Sequence, residues 1–487
     1  MPIESLPNNP SLENLKKQAK TLLKSVQANA SEAVARVHEF HPRAAEVLNK
    51  FALRDAQFVI ARNYGFASWT KLKKYLEVVD DFSWSVPKEL PSEDGDRFIS
   101  LACLTYGGDH ISRREKAREL FSTNPLLSRE SIYAAATVGD FATVERMLDN
   151  DLTLASKRGG PRDWEPLLYA AYSRLNSNDP KHSTLEVARL LLRQGADPNA
   201  GFLWEGNYVF TALTGVFGEG ESGPINQPKH QYCDQFARLL LEAGADANDS
   251  QTLYNRMFTG RTSHLELLFE FGLGQGSSVW SKRLGMVDST EEMLQQLMGW
   301  ASKYNQMACL KLLIEHNVDV NSPDSRMQRT PYELAVLNGN SEIAQYLLDH
   351  GAQQTSLSDL DNFFAACLSA DSVRAKNLLA RDKSLIERLG PQRTELLQLA
   401  AERDQREAVK LMSELGFNLN EVKRTTALHN AAMSGHLEMA KLLVELGADP
   451  HIKDTEFNAK PLGWAEYGGK TQVAEFLRQF ETEPANE

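Results

Sequence analysis

Cysteine is scarce in this sequence. The four cysteines among 487 residues, Cys103, Cys233, Cys309 and Cys367, lie far apart. They form no Cys-x-x-Cys pair, and none has a neighbouring histidine at the spacing that zinc sites use. We therefore expect reduced, mostly buried thiols in a cytoplasmic protein.

Long apolar runs are also missing. The N-terminus, MPIESLPNNPSLENLKKQAK, lacks the apolar segment of a secretory signal. No stretch approaches the roughly 20 apolar residues of a membrane helix. We expect no membrane partner and a cytoplasmic location. Secretion by a nonclassical route stays open, because such signals need not be hydrophobic.

Positive charge is in short supply beyond the N-terminal region. The formal net charge is −12, although residues 1–80 carry 12 Lys and Arg against 8 Asp and Glu. The rest of the chain is therefore strongly acidic and repels phosphate backbones, so nucleic acid is an unfavourable partner for it. Nucleic-acid binding by the basic N-terminal part remains a weaker alternative.

Motifs of catalysis and cofactor binding are absent as well. No Ser/His/Asp order, paired-carboxylate motif or dinucleotide fingerprint occurs. His38 and His41 have no third ligand near them in the sequence, and the glycines of residues 272–278 lack the Lys-Ser/Thr pair of a phosphate-binding loop. We predict no catalytic residues, no cofactor, no metal ligands and no enzymatic activity. An active site assembled from scattered residues is the alternative.

The chain does contain a repeat. The segment TTALHNAAMSGHLEMAKLLVELGADPHIKD, which begins at Thr425, has apolar residues at helical spacing in two short stretches separated by Ser-Gly-His. This pattern predicts a helix-turn-helix unit. The unit resembles the ankyrin repeat: Thr426-Ala427-Leu428-His429-Asn430-Ala431-Ala432 matches the family pattern T-P-L-H-x-A-A, and Gly447-Ala448-Asp449-Pro450 matches its G-A-D-P turn. The resemblance implies an all-α ankyrin-repeat solenoid in which His429 holds the turn by hydrogen bonds.

A constant spacing extends this assignment along the chain. From Thr426 at the start of the first helix to Gly447 at the end of the second is 21 residues, and the same interval recurs elsewhere. The equivalent pairs are Glu130/Asp151, Gln251/Gly272, Gln296/Asn317, Thr330/Gly351, Asp361/Asp382 and Glu395/Gly416. We expect the terminal residue of each second helix to tolerate a left-handed conformation, including Asn317.

Two repeats are stretched. Glu165 to Gly195 spans 30 residues and Thr211 to Gly244 spans 33, which indicates insertions of 9 and 12 residues in the helical hairpins. A closing unit follows at KPLGWAEYGGKTQVAEFLRQF, and a degenerate first unit is predicted in residues 97–127. The total is about ten to eleven helix-turn-helix units, each of which buries its apolar face only by stacking on neighbours.

The first eighty residues predict helices at 11–27, 31–40, 53–63 and 68–79. Through SLENLKKQAKTLL and FALRDAQFVIARNYGFASWTKLKKYLE, this region resembles a helical segment found ahead of the repeats in bacterial ankyrin proteins, which implies a bacterial origin. We predict that it caps the first repeat; a separate recognition module is the alternative. The predicted boundaries are 1–80 for this segment, 81–96 for a linker, 97–481 for the solenoid and 482–487 for a disordered tail.

The irregular repeats are rich in aromatic residues. Trp204 lies in GFLWEGNY, in the turn between two repeats, where it has little core to enter; packing beneath the neighbouring insertion is the alternative. Exposed aromatic side chains on a rigid array make good interface anchors. The predicted partner-binding residues are Trp164, Tyr172, Phe202, Trp204, Tyr208 and Phe217.

Together these observations predict a non-catalytic scaffold that binds a partner protein through the concave face and turn tips of its repeats. Preorganisation by the stacked helices limits the entropy lost on binding. The alternative is an effector or enzyme whose activity resides in the N-terminal helices, with the repeats as a targeting module.

Overall fold

A computed structural model describes residues 6, 10–285 and 290–481 of the chain. The described part is all-α, as predicted, apart from one small sheet. It divides into two compact units, residues 1–297 and 298–487, and each is described by itself.

The four predicted N-terminal helices are present, and a short helix at Ala44–Val47 was not predicted. Every fourth or third residue of the first helix, Leu15, Ala19, Leu22 and Val26, is buried. Ser11 occupies the N-cap position of this helix, although its side chain makes no capping hydrogen bond. These helices enclose a hydrophobic core of their own. Their bounds are α1 Leu12–Gln27, α2 Ser31–Phe40, α3 Ala44–Val47, α4 Leu53–Asn63 and α5 Trp69–Phe82.

The rest of the first unit contains helix pairs interrupted by a β-hairpin. Its elements are β1 Ser83–Trp84, α6 Asp94–Ala102, α7 Ile111–Thr123, α8 Ile132–Val138, α9 Phe141–Asn150, α10 Pro166–Tyr172, α11 Thr184–Arg193, β2 Gly201–Trp204, β3 Tyr208–Thr211, α12 Ala212–Phe217, α13 Gly223–Asn226, α14 Cys233–Glu242, α15 Ser250–Arg256, α16 Ser263–Glu270 and α17 Val279–Leu284.

Helix α18 begins at Thr290, and regular helix pairs follow in the second unit. Their bounds are α18 Thr290–Lys303, α19 Met307–Glu315, α20 Pro331–Leu337, α21 Ser341–Asp349, α22 Asp359–Leu368, α23 Ser372–Arg381, α24 Leu385–Arg388, α25 Gln392–Glu402, α26 Arg406–Glu414, α27 Ala427–Ser434, α28 Leu437–Glu445, α29 Pro461–Tyr467 and α30 Thr471–Arg478. Across both units, the described residues form eleven helix pairs, in agreement with the predicted ten to eleven units.

The ends of the second helices explain the constant spacing. Gly447 adopts φ 99° and Asn317 adopts φ 60°, so the expectation of a left-handed terminus at Asn317 is confirmed. Two repeats end differently: Asp151 and Asp382 have extended backbone at φ −154° and −138°.

Asparagine side chains join successive repeats in the described part of the chain. Asn420 donates from Nδ2 to Gly447 O at 3.0 Å and accepts from Asp449 N at 2.8 Å. Asn199 and Asn321 bridge to the next repeat with the same two distances. These bonds satisfy the carbonyl that each helix end leaves free.

The segment predicted as a linker packs tightly. Strand β1 pairs in parallel with β2, with Ser83 opposite Leu203, and β2 pairs antiparallel with β3. The buried Trp84 ring lies 5.4 Å from the ring of Trp164 and 5.6 Å from that of Phe202. Residues 83–84 therefore join the hairpin instead of forming a loose connection.

The N-terminal helices meet the repeats at this hairpin. Val78 of α5 clusters with Leu203, Trp280 and Leu284, so α5 covers the hairpin and α17. The N-terminal segment was predicted to cap the first repeat. The predicted domain boundaries stay predictions, and residues 482–487 lie outside the described residues.

Candidate protein-binding surface

Four of the six aromatic residues predicted to bind a partner belong to the core. Trp164, Tyr172, Phe202 and Phe217 are at most 2% exposed. The rings of Trp164 and Phe202 stack at 4.3 Å, and Tyr172 lies 5.0 Å from Trp164. The expected exposure is therefore corrected for these four side chains. Trp84 packs against Trp164 and Phe202, and the rings of Tyr106 and His264 pack against Tyr172 and Phe217.

Trp204 and Tyr208 stand at the end of the hairpin. Trp204 is partly buried, and its indole N–H donates to Thr105 O at 2.9 Å. Tyr208 is 56% exposed and lies 6.2 Å from Trp204, ring to ring. A role in partner binding remains a prediction for this pair, with Tyr208 the more accessible of the two.

A buried arginine fixes both insertions. Arg174, which follows α10, is fully buried and donates only to backbone carbonyls: Pro228 O at 2.7 Å, Gly215 O at 2.5 Å, Ala171 O and Ser173 O. Burial lowers the pKa of its guanidinium. Since Pro228 belongs to the second insertion, one side chain ties both insertions to α12.

The four cysteines are free and buried, as expected. One of them belongs to a polar cluster: Cys233 Sγ, a carboxylate oxygen of Asp234 and a ring nitrogen of His264 lie within 4.8 Å of one another. His264 Nε2 is 3.4 Å from Cys233 Sγ. The sequence did not predict this group, because His264 lies 31 residues from Cys233 in the chain.

The hydrogen bonds of that cluster disfavour a cation. Arg256 Nη1 lies 2.5 Å from His264 Nδ1, and a guanidinium can only donate, so the imidazole proton is on Nε2. A metal at Nε2 requires the lone pair that this proton occupies. Burial, reinforced by Arg256, lowers the pKa of His264 to about 3, and burial raises the pKa of Cys233 to about 12. We assign the cluster a structural role.

Exposed aromatic side chains occur in the second unit, where sequence analysis proposed none. Phe457 is 63% exposed and Tyr467 is 57% exposed. Trp464 is partly buried and lies 6.1 Å from Phe457, ring to ring. Because Trp464 and Tyr467 are three residues apart on α29, they lie near the same helical face. These three residues are called the aromatic patch below.

A buried aspartate holds this patch in place. Asp454 accepts hydrogen bonds from Glu456 N at 2.8 Å, from Phe457 N at 2.6 Å, and from Trp464 Nε1 at 2.9 Å. Burial raises the pKa of Asp454, but these hydrogen bonds lower it by more than burial raises it. The pKa of Asp454 therefore lies well below its usual value. Asp324 accepts from Met327 N in the same way. An Asp three residues before an apolar residue is therefore a sequence signal for this kind of turn.

A groove of about 970 Å³ also lies in the second unit, among α21, α22 and α26. Apolar side chains such as Leu348 and Leu368 line it together with charged ones. Lys410 pairs with Glu407 at 2.8 Å, and the groove has no dominant charge. Its lining does not favour one kind of ligand.

Among the described helices, none combines the length and the apolar composition that crossing a bilayer requires.

Comparison with known proteins identifies the repeats. A model of ankyrin repeats in three copies matches residues 284–358 and 363–454, and a single ankyrin-repeat model matches residues 162–201. The helix pairs of these segments are ankyrin repeats, and the fold is the predicted all-α ankyrin class.

Three curated proteins share part of this sequence. The palmitoyltransferase AKR1 of Lachancea kluyveri is 31% identical over 166 residues, which are 31% of this chain and 21% of that protein. The ankyrin repeat and KH domain-containing protein mask-1 of Caenorhabditis elegans is 29% identical over 37% of this chain and 7% of its own length. Alpha-latrocrustotoxin-Lt1a of Latrodectus tredecimguttatus is 26% identical over 35% of this chain and 10% of its own length.

The chain thus spans about a fifth or less of the length of these relatives. All three are eukaryotic, and they do not support the predicted bacterial origin.

Proposed function

We propose that this protein is a non-catalytic scaffold that binds a partner protein, and that the aromatic patch of Phe457, Trp464 and Tyr467 is an anchor of the binding surface. The observation that carries this proposal is the exposure of Phe457, at 63%, on a turn whose backbone is held by buried Asp454. A large apolar side chain kept in water by a rigid turn loses little entropy when a partner covers it.

The ankyrin repeats support a binding role. Stacked repeats offer an extended surface whose side chains are positioned before a partner arrives. Cytoplasmic localisation forms part of the proposal and rests on the four buried, unpaired cysteines. The similarity to a palmitoyltransferase covers a fifth of that protein, and it does not extend the proposal to acyl transfer.

We expect the full-length Phe457→Ala variant to capture fewer proteins than the wild-type chain. Its affinity for each partner that binds the aromatic patch should fall tenfold or more, as for a central aromatic anchor. Val373→Ala is the matched control, because Val373 is 70% exposed in the same unit but lies on α23. The measurement is quantitative mass spectrometry of proteins captured by the wild-type chain and by each variant, followed by titration of the purified partner.

Both variants should keep the wild-type melting curve. If Phe457→Ala and Val373→Ala capture the same proteins with the same affinity, the aromatic patch is not a binding surface.

A further inference from the structure

The junction between the N-terminal helices and the repeats is built around Phe82. This residue ends α5, and its ring lies 5.0 Å from the guanidinium of Arg158 and 5.2 Å from that of Arg283. Both arginines already have acidic partners: Arg158 contacts Asp163 at 2.8 Å, and Arg283 contacts Asp197 at 3.3 Å. The strand residues that follow Phe82 pair with the hairpin, so this contact and Trp84 hold the N-terminal helices to the repeats.

A small, partly open cavity lies at the same junction. Phe82 and Trp84 line it from the N-terminal side, and Trp164, Glu165 and Phe202 line it from the repeats. Its volume of about 10 Å³ is close to the least that holds one water molecule. It is therefore too small for a ligand.

Two polar atoms of the cavity-lining residues lack a hydrogen-bond partner among the protein atoms. They are Trp164 Nε1, an N–H donor, and Glu165 Oε2, and both are fully buried. Glu165 is partly buried as a residue, and its buried Oε2 has no donor among the protein atoms. An ionised oxygen in that position is costly, whereas the neutral acid is tolerated. The carboxyl group of Glu165 thus occupies a place that suits its protonated form.

The charges around Glu165 do not offset this cost. Asp197 opposes ionisation, and Arg283 and Arg158 favour it, but each of these arginines is already paired with an acid. Burial is the largest effect and raises the pKa of Glu165 to about 7. Facing residues of α5, β1, α10 and the hairpin, namely Phe82, Ser83, Trp84, Leu168, Gly201 and Phe202, carry no charge.

Arg162 does not supply the missing partner. It is the remaining cation of the cavity lining, and its guanidinium donates to three backbone carbonyls, those of Ser100, Cys103 and Leu104. It also lies between the rings of Trp84 and Trp164, at 4.9 and 4.6 Å from their centroids. Moving it toward Glu165 breaks these contacts.

We propose that ionisation of Glu165 weakens the docking of Phe82 and Trp84, so that the N-terminal helices are held to the repeats in mildly acidic solution and are released more readily as the pH rises through neutrality. Opening the junction hydrates the carboxylate. The N-terminal helices have a hydrophobic core of their own, so they stay folded when they separate.

The direction follows from proton linkage. In the open junction Glu165 has the ordinary pKa of a glutamate, so the closed junction binds its proton more tightly. Opening is therefore least favourable at low pH, becomes more favourable as the pH rises to about 7, and then levels off. Glu165→Gln keeps the shape of the neutral acid and removes the titration.

The test is hydrogen exchange of the full-length chain, followed by mass spectrometry and corrected for the pH dependence of the chemical step. The reporters are peptides that cover residues 79–90 and 201–211, which include the bond from Glu205 N to Trp84 O at 3.0 Å. Between pH 5.5 and pH 7.5 we expect the opening ratio of the wild-type junction to increase about tenfold or more. In Glu165→Gln it should not change.

Peptides of α27 and α28 serve as the internal reference for changes in global stability. The proposal is overturned if wild-type protection at the junction is independent of pH, or if Glu165→Gln shows the same increase in opening as the wild type. A parallel loss of protection in α27 and α28 also contradicts it, because that result reports unfolding and not release.

Discussion

Single side chains join one repeat to the next in this protein, and His429 is the clearest case. Its Nδ1 atom accepts hydrogen bonds from Thr426 N at 3.1 Å and from the Thr426 hydroxyl at 2.8 Å. Its Nε2–H donates to Ala459 O at 3.1 Å, in the following turn. The structural role inferred for His429 from the repeat pattern is therefore what the structure shows.

We predict that His429→Ala lowers the free energy of unfolding by about 1–3 kcal/mol, because it leaves buried groups of Thr426 and Ala459 unpaired. His436→Ala is the control, since its bond to Glu402 O is exposed, and it should cost less than about 1 kcal/mol. Chemical denaturation of both variants gives the comparison. Equal costs would mean that His429 does not hold the turn.

At the scale of elements, the two insertions are folded parts of the first unit and not free loops. Arg114 of α7 donates to Asn226 O at 3.1 Å and to Ile225 O at 2.9 Å, which fixes the second insertion from outside. Arg174 fixes both insertions from inside. The backbone of the second insertion is thereby anchored from both sides.

We predict that Arg174→Met lowers the unfolding free energy by about 3 kcal/mol or more, because it removes charged hydrogen bonds and leaves buried carbonyls unpaired. Proteolysis within residues 219–229 should become faster. The control is Arg118→Met, since the exposed Arg118 donates to Leu175 O and Arg174 O at the surface. Unchanged proteolysis in Arg174→Met would show that other contacts hold the insertions.

At the scale of the whole molecule, the N-terminal helices have a separate core and a small junction with the repeats. The junction consists of Val78 and its neighbours Leu203, Trp280 and Leu284, together with the aromatic contacts of Trp84. This arrangement combines features of both alternatives weighed from the sequence: the segment covers apolar surface, and it has the interior of a module.

We predict that deletion of residues 1–84 exposes Leu203, Phe202 and Trp280 and leads to association of the truncated chain. Light scattering and thermal unfolding measure the effect. Deletion of residues 1–82 also removes Val78 and Phe82 from Leu203 and Trp280 but keeps Trp84. The difference between the two truncated chains therefore reports the cover that Trp84 gives to Trp164 and Phe202. If the truncated chain 85–487 stays monomeric and its melting temperature is unchanged, the N-terminal segment does not shield apolar surface of the repeats.

The sequence alone determined the repeat architecture, because periodic apolar residues and helix-ending glycines are local signals. The spacing located the helix pairs, and the pattern around His429 predicted its hydrogen bonds. Local signals also predicted the N-terminal helices to within a few residues at each end.

Only the tertiary structure decided which aromatic residues are exposed. Trp164, Tyr172, Phe202 and Phe217 are buried because residues from distant positions pack against them, such as Trp84 against Trp164 and Phe202, and His264 against Phe217. Phe457 is exposed because Asp454 fixes its turn. Exposure depends on which distant segments pack over a residue, and a single sequence does not contain that information.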